Sequence, residues 1–336
     1  MRMFVPILCS LLLISLNSLH ADTQQARPDK VKFGVNGHPL VAGAYSEPLE
    51  DQISQLKSLG LRAYRVNVNP ANMTPEKFER LSRLINLAQQ QEIEILITIV
   101  IKAQDYSSES DAYDAAKSAT NALSQQIGQH IGVWELGNEY DLYCVIKGAS
   151  GRAPADYDTE KYLIVRGLIR GMLAGLRDGS PKALRVVQTS QNGKNPDSGF
   201  LQRLIHDGIE FDITGYHYYS HDGHIRVADN GESALQILRD NFHKPIWITE
   251  FDQASHDGVG PNADPTSQAQ ALERALQAIA QDARQYDVKQ AYIYELLDQP
   301  ELSASKPVQA QFGILHADGG ATDASAAVRR FLQSYY

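Results

Sequence analysis

Two glutamates in this chain have the residue type and setting for paired acid and nucleophile chemistry. Glu139 closes the run Val133-Trp134-Glu135-Leu136-Gly137-Asn138-Glu139, and Glu250 closes Pro245-Ile246-Trp247-Ile248-Thr249-Glu250. Each ends a short apolar stretch that reads as a buried strand. If both stretches are parallel strands of one barrel, both carboxyls sit at its C-terminal mouth, where such barrels build their sites. Breaking a glycosidic bond needs one carboxylic acid to protonate the leaving oxygen and a second carboxylate across the sugar. When the second attacks carbon directly, the pair lies about 5–5.5 Å apart. The ends of a fourth and a seventh strand face each other across a barrel mouth, so Glu139 and Glu250 could meet that distance.

Eight strand-like runs rich in β-branched or aromatic residues position these groups: 31–35, 63–68, 94–101, 133–139, 185–189, 211–219, 245–251 and 290–297. Helical apolar spacing fills the intervals, most clearly over 75–91, 112–131, 161–177 and 267–285, with a last helix over 322–333. Thr74-Pro75 reads as a helix start, and Gly60 as a helix end. Regular strand–helix alternation repeated eight times predicts an α/β fold, a (β/α)8 TIM barrel in a single domain over 22–336. A doubly wound open sheet is the alternative, weakened because no glycine-rich phosphate loop follows the first strand. The connections 140–158 and 299–320 are expected on the functional face.

Trp-Glu-Leu-Gly-Asn-Glu on the fourth strand and Trp-Ile-Thr-Glu on the seventh resemble the retaining β-glycosidases of glycoside hydrolase clan A. The resemblance implies Glu139 as acid/base, Glu250 as nucleophile, and Asn138 as a hydrogen-bond partner of the sugar 2-hydroxyl. Arg65, in Tyr64-Arg65-Val66-Asn67, resembles the arginine that keeps the clan's nucleophile ionised. His217 and Tyr219, on one face of Tyr216-His217-Tyr218-Tyr219, resemble the pair that orients sugar and nucleophile. Phe312-Gly313-Ile314-Leu315-His316-Ala317-Asp318-Gly319-Gly320 resembles the loop after the eighth strand. Phe33-Gly34-Val35-Asn36 and Tyr292-Ile293-Tyr294-Glu295-Leu296-Leu297 look nearest to family 39, with family 5 next. The chain departs from the clan pattern at Gly137, where a bulkier residue is common, and at Tyr140, where proline often follows the acid/base. It also offers Tyr294 and Glu295 where many relatives place a tryptophan under the reacting sugar.

For Glu139 to act as an acid beside a charged Glu250, its pKa is expected above the ordinary value. Glu135 reads as a buried ion-pair partner, because a buried carboxylate needs one. Trp134 and Trp247 precede their glutamates by odd spacings and are expected to face away from them in packing roles. Asp252, His256 and Asp257 lack a known metal-ligand spacing, and the two-carboxylate mechanism needs no metal or other cofactor, so none is expected.

Residues 1–21, with Arg2 ahead of an apolar stretch, read as a secretory signal peptide too short for a membrane anchor. The expected product is exported, periplasmic or secreted, and does not insert in the membrane after cleavage. Removal of Cys9 leaves Cys144 alone, excluding an intramolecular disulfide. With 31 basic against 40 acidic residues, the charge of −9 argues against nucleic acid as a partner. The expected partner of this monomer is a β-linked oligo- or polysaccharide, cleaved with endo-action favoured. A transglycosylase that remodels an exported polysaccharide and a non-catalytic glycan-binding barrel are the rival readings.

Overall fold

The computed structural model describes residues 30–193, 195–219, 231–252, 265–307 and 309–336. The strands are β1 (Lys32–Gly37), β2 (Ala63–Val68), β3 (Glu94–Ile99), β4 (Val133–Leu136), β5 (Leu184–Asn192), β6 (Asn195–Pro196), β7 (Ile213–Tyr219), β8 (Ile246–Asp252) and β9 (Val288–Ile293). Apart from β6, a two-residue antiparallel extension of β5, they pair in parallel in the order β4-β3-β2-β1-β9-β8-β7-β5, and β4 pairs with β5 to close the ring. The expected closed eight-stranded barrel is therefore present, with its strands close to the expected positions.

The helices are α1 (Leu49–Leu59), α2 (Pro75–Gln90), α3 (Glu109–Ile127), α4 (Tyr140–Cys144), α5 (Thr159–Gly179), α6 (Ser198–His206), α7 (Ala234–Phe242), α8 (Pro265–Tyr286) and α9 (Asp323–Tyr335). Several of their starts are set by short polar side chains that accept from otherwise unpaired backbone N–H groups. Thr74 caps Lys77 N, Ser108 caps Asp111 N and Asp158 caps Lys161 N. Gly60 ends α1 in the left-handed conformation, at φ 81°.

Two apolar layers follow from strand alternation. Ala63, Leu96, Val133, Val186, Ile213, Trp247 and Tyr292 form a plug inside the barrel, and a larger cluster fills the space between strands and helices. The residues two steps beyond the plug on β2, β3, β4 and β7 are Arg65, Thr98, Glu135 and Gly215, and His217 lies two steps further along β7. The inner face thus turns from apolar to polar toward the mouth. Trp134 packs outside, as expected. Trp247 is a correction: it faces inward, on the same side as Glu250. Pairing passes from Tyr216–Ile248 to His217–Glu250, so Thr249 is an extra residue that reverses the alternation.

One helix contact is unusually close. Gly167, Gly171, Gly175 and Gly179 recur every fourth residue along α5 and lie against α3, where an added Cβ would meet Glu109 O, Tyr113 O, Lys117 O and Ser124 Oγ at 2.4–2.7 Å. The four glycines let the two helix backbones approach without intervening side chains.

Candidate active site

Arg65 organises the mouth. It rises from β2 fully buried, and each edge of its guanidinium is used. Nε donates to Glu135 Oε2 at 2.6 Å, Nη1 to Glu250 Oε1 at 2.6 Å and to Asn36 Oδ1 at 2.7 Å, and Nη2 to Asn138 Oδ1 at 2.9 Å. Glu135 is the buried ion-pair partner expected from sequence, and it also accepts from Thr98 Oγ1 at 2.7 Å. Asn36 was not singled out in the sequence. Its signal is its place two residues before the loop after β1, and its Nδ2 also donates to Thr249 O at the bulge. A guanidinium held between two carboxylates stays charged and holds Glu250 in a fixed orientation.

Glu250 is 5% exposed, and its second oxygen accepts from Tyr219 OH at 2.5 Å. Glu139 is more open. The sequence reading carried the fourth strand through to Glu139, but β4 ends at Leu136. Gly137 takes φ 92° and Glu139 φ 53°, and Glu139 caps the start of α4. A non-glycine residue in the left-handed region costs about 1 kcal/mol, so the turn must be held by its surroundings. Tyr140 does this: its ring lies over Gly137 and its OH donates to Ile101 O at 2.6 Å.

His217 joins the two carboxyls. Its Nδ1 is 3.2 Å from Glu139 Oε1 and 3.5 Å from Glu250 Oε2, and its Nε2 faces Arg65 Nη2 at 3.4 Å. Because Arg65 can only donate, Nε2 carries the lone pair and Nδ1 the proton when the ring is neutral. Carboxylate oxygens of Glu139 and Glu250 and a ring nitrogen of His217 all lie within 4.8 Å of one another. Burial pushes the His217 pKa down, and Glu250 and Glu139 more than offset this, leaving it above the ordinary value. For Glu139 the balance runs opposite to the sequence expectation. Burial raises its pKa, but the hydrogen bond and charge of His217, aided by Arg65, lower it below the usual carboxylate value.

Tyr294 and Glu295 divide. Tyr294 lies in an aromatic group beside Glu250, its ring centroid 6.2 Å from Tyr219 and 5.7 Å from Phe312. Glu295 is fully buried and does not face the mouth as a free carboxylate. It accepts from Tyr45 OH at 2.9 Å and Gln299 Nε2 at 2.7 Å, and lies 3.2 Å from His38 Nε2. Its place is a support beneath His38 and Tyr294. The lone Cys144 is a buried free thiol whose pKa burial pushes far up, so it is not poised as a nucleophile. His256 and Asp257 lie outside the described residues.

Residues 175–326 match the family described as "Glycosyl hydrolase catalytic core", a span that carries His217, Tyr219, Glu250 and Tyr294. Over that span the barrel is similar to a glycosyl hydrolase catalytic core, and the solved structures below share its fold. Among solved structures it is similar to the β-glucosidase from Thermotoga maritima, at 12% identity and TM-score 0.66, covering 92% of this chain and 99% of that one. It is also similar to the GH53 catalytic domain of Ignisphaera aggregans, at 15% identity and TM-score 0.64, covering 92% and 98%. GH5_18 from Streptomyces cattleya aligns at 15% identity and TM-score 0.68, covering 91% and 80%. No curated protein matches the chain by sequence.

Proposed function

We propose that the chain is an exported glycoside hydrolase that cleaves β-linked glycans with retention, through a covalent sugar adduct on Glu250. The observation that carries this reading is the spacing of the two carboxyls. Oxygens of Glu139 and Glu250 within 4.8 Å suit direct attack by one carboxylate, whereas an inverting pair stands about 6.5–9.5 Å apart to admit a water. The environments also differ in the required sense. Glu250 is buried and bound by Arg65 and Tyr219, which fix a nucleophile. Glu139 has a side chain 35% exposed on the mouth side, where a leaving group departs and water enters.

The lowered Glu139 pKa assigns a part to His217. Its Nδ1 reaches Glu139 and Glu250 at nearly equal distance, so a small ring rotation moves the proton donor from one carboxylate to the other. With His217 turned to Glu250, its hydrogen bond to Glu139 is lost, and burial, aided by the charge of Glu135, raises the Glu139 pKa against the remaining pull of Arg65, which makes it an acid. Esterification of Glu250 then removes the neighbouring negative charge, and Glu139 serves as base toward water. Asn138, held by Arg65, is placed to meet the sugar 2-hydroxyl. Endo-action on a polysaccharide and export through residues 1–21 complete the proposal. Product sizes from a polymer and the N-terminal residue of the recovered protein check these two points.

The decisive experiment uses 2-deoxy-2-fluoro β-glycosides with good leaving groups, followed by intact and peptide mass analysis. The expected result is one sugar adduct on Glu250, absent in Glu250→Ala. An adduct on another residue, or none across gluco, manno, xylo and galacto donors with folded protein, overturns the retaining assignment.

A further inference from the structure

Behind the acid/base glutamate lies a second pair of carboxyls that the reaction itself does not use. Asp141 is two residues beyond Glu139 on α4, and Asp197 follows β6 at the start of α6; both are completely buried. Asp141 is well supplied with donors. Its Oδ2 accepts from Ser190 N at 2.5 Å and its Oδ1 from Ser190 Oγ at 3.1 Å, which ties α4 to β5.

Asp197 is not supplied in this way. Among the described residues neither of its oxygens has a donor in ordinary geometry, although Asn192 and Tyr157 lie near enough to lower its pKa against burial and the charge of Asp141. The neighbouring Tyr157 OH donates to Gly151 O at 2.7 Å, and Asn192 Nδ2 to Ala149 O at 3.2 Å. Gly151 leaves room for the carboxyl, since a Cβ there would lie 1.5 Å from Asp197 Oδ1. Asp141 and Asp197 meet side chain to side chain; an ionised carboxylate buried with few donors costs several kcal/mol, and two carboxylates that close cannot both ionise. The arrangement is satisfied when Asp197 is a carboxylic acid that donates its proton to Asp141.

We propose that Asp197 is a positioning residue: by sharing one proton with Asp141 it fixes α4, and through α4 holds Glu139 in its left-handed conformation at the mouth. The groups facing the pair agree with a single bound proton. Glu139 and Cys144 flank Asp141 on its own segment, Tyr216 and His217 approach from β7, and Tyr157 approaches from the loop before α5. Among the described residues the cations that reach this region are committed elsewhere: His217 to Glu139 and Glu250, Arg203 to Tyr157 O and Thr159 Oγ1, and Lys161 to the ring of Tyr143. Burial first, and then the charge of Asp141, raise the Asp197 pKa to about 8. Above that, the proton is lost to solvent, the two carboxylates repel, and α4 loosens.

The role for Glu139 rests on the proposed hydrolase reading, whereas the shared proton does not, and the test separates them. Infrared spectra of wild type, Asp197→Asn and Asp197→Ala between about pH 5 and pH 9 read the protonated carboxyl directly. The expected wild-type spectrum has a buried carboxylic-acid band that fades through about pH 8 and is missing from both variants. In parallel, kcat is measured on the 2,4-dinitrophenyl β-glycoside whose fluoro-sugar labels Glu250, where Glu139 acts as base. Wild-type kcat is expected to fall about tenfold per pH unit above about pH 8. Asp197→Asn, which keeps a donor to Asp141 but cannot titrate, is expected to abolish that fall. Asp197→Ala is expected to lower kcat at every pH. An acid band retained in Asp197→Asn overturns the shared proton. An alkaline fall identical in wild type and Asp197→Asn overturns the link to Glu139. Lack of turnover in wild type removes the hydrolase reading and with it the role for Glu139, while the infrared result still decides the shared proton.

Discussion

Tyr140 and Gly137 are complementary: a Cβ placed on Gly137 would lie 2.1 Å from Tyr140 Cε2. These are two positions at which the chain departs from the pattern of the enzymes it resembles, and the structure shows that they depart together. The tyrosine ring fills the volume a larger residue at 137 would take, and its OH closes the turn on Ile101 O. Gly137→Ala is expected to destabilise the protein by about 1–3 kcal/mol through overpacking, with added strain at φ 92°. Because the displaced turn carries Glu139, kcat should fall as well, by roughly 10–100-fold for a shift approaching 1 Å. Denaturant midpoints and steady-state kinetics on the same preparation check both. Unchanged kcat in a destabilised variant would show that the turn does not position Glu139.

Glu139→Ala separates the acid and base roles. With a poor leaving group, kcat/KM should fall about 10²–10⁴-fold. With a dinitrophenolate leaving group that needs no protonation, kcat/KM should change little while kcat falls, because only deglycosylation still needs the base. Equal losses on both substrates would assign Glu139 a binding role instead.

Tyr219→Phe removes the 2.5 Å hydrogen bond to Glu250 and leaves the ring among Tyr294 and Phe312. A hydrogen bond to a charged group contributes about 1.5–3 kcal/mol. The expected result is a loss of roughly 10–100-fold in glycosylation, measured as kcat/KM, without loss of fold. A change confined to KM on all donors would place Tyr219 in sugar binding alone.

The His217 and Glu139 pair sets a pH window for stability. Glu139 has a lowered pKa in the folded chain, so its contribution is present above the unfolded value near 4.5 and is lost as pH falls through the folded one. His217 has a raised pKa, so its contribution is full below the unfolded value near 6.5 and is lost as pH rises through the folded one. The two are present together between those values, from about pH 4.5 to 6.5. Urea denaturation of wild type and His217→Gln, carried from below that range to above it, should show the largest difference inside the window. A constant difference would mean that the contact is not ionic.

The parts of this site that alternation and motif could reach were legible in the sequence. Glu250 followed from its strand end, and Arg65, Asn138, His217 and Tyr219 from the motif resemblance; the structure gathers Asn138, His217 and Glu250 around the Arg65 guanidinium, with Tyr219 on Glu250. Glu135 followed from the cost of burying a carboxylate alone. What alternation could not show was where it breaks. The extra residue Thr249 turned Trp247 inward, and the left-handed turn at Gly137 to Glu139 ended β4 early, because both depend on pairing with a neighbouring strand or ring. The Glu139 pKa was misread for a related reason. Sequence supplied the nearby anion but not the distance to His217, and that contact reverses the sign. α4, α6 and α7 were passed over because they are short, five, nine and nine residues.

The glycine seam of α5 was overlooked for a different reason: intrinsic propensity counts glycine against a helix, so four of them carried no packing signal. Gly171→Ala tests the seam by the sign of its effect. In an exposed helix the change stabilises by about 1 kcal/mol, because alanine loses less backbone freedom on folding. Here the new methyl would meet Tyr113 O at 2.4 Å and Ala116 Cβ at 2.8 Å, and a helix backbone carbonyl cannot swing aside. The expected result is a loss of about 1–3 kcal/mol as α3 and α5 are forced apart. Gly132→Ala, where an added Cβ meets nothing within 4 Å, serves as the control and should change stability little. Stabilisation by Gly171→Ala would mean that the helices sit farther apart than described and that the glycines are not needed for their approach.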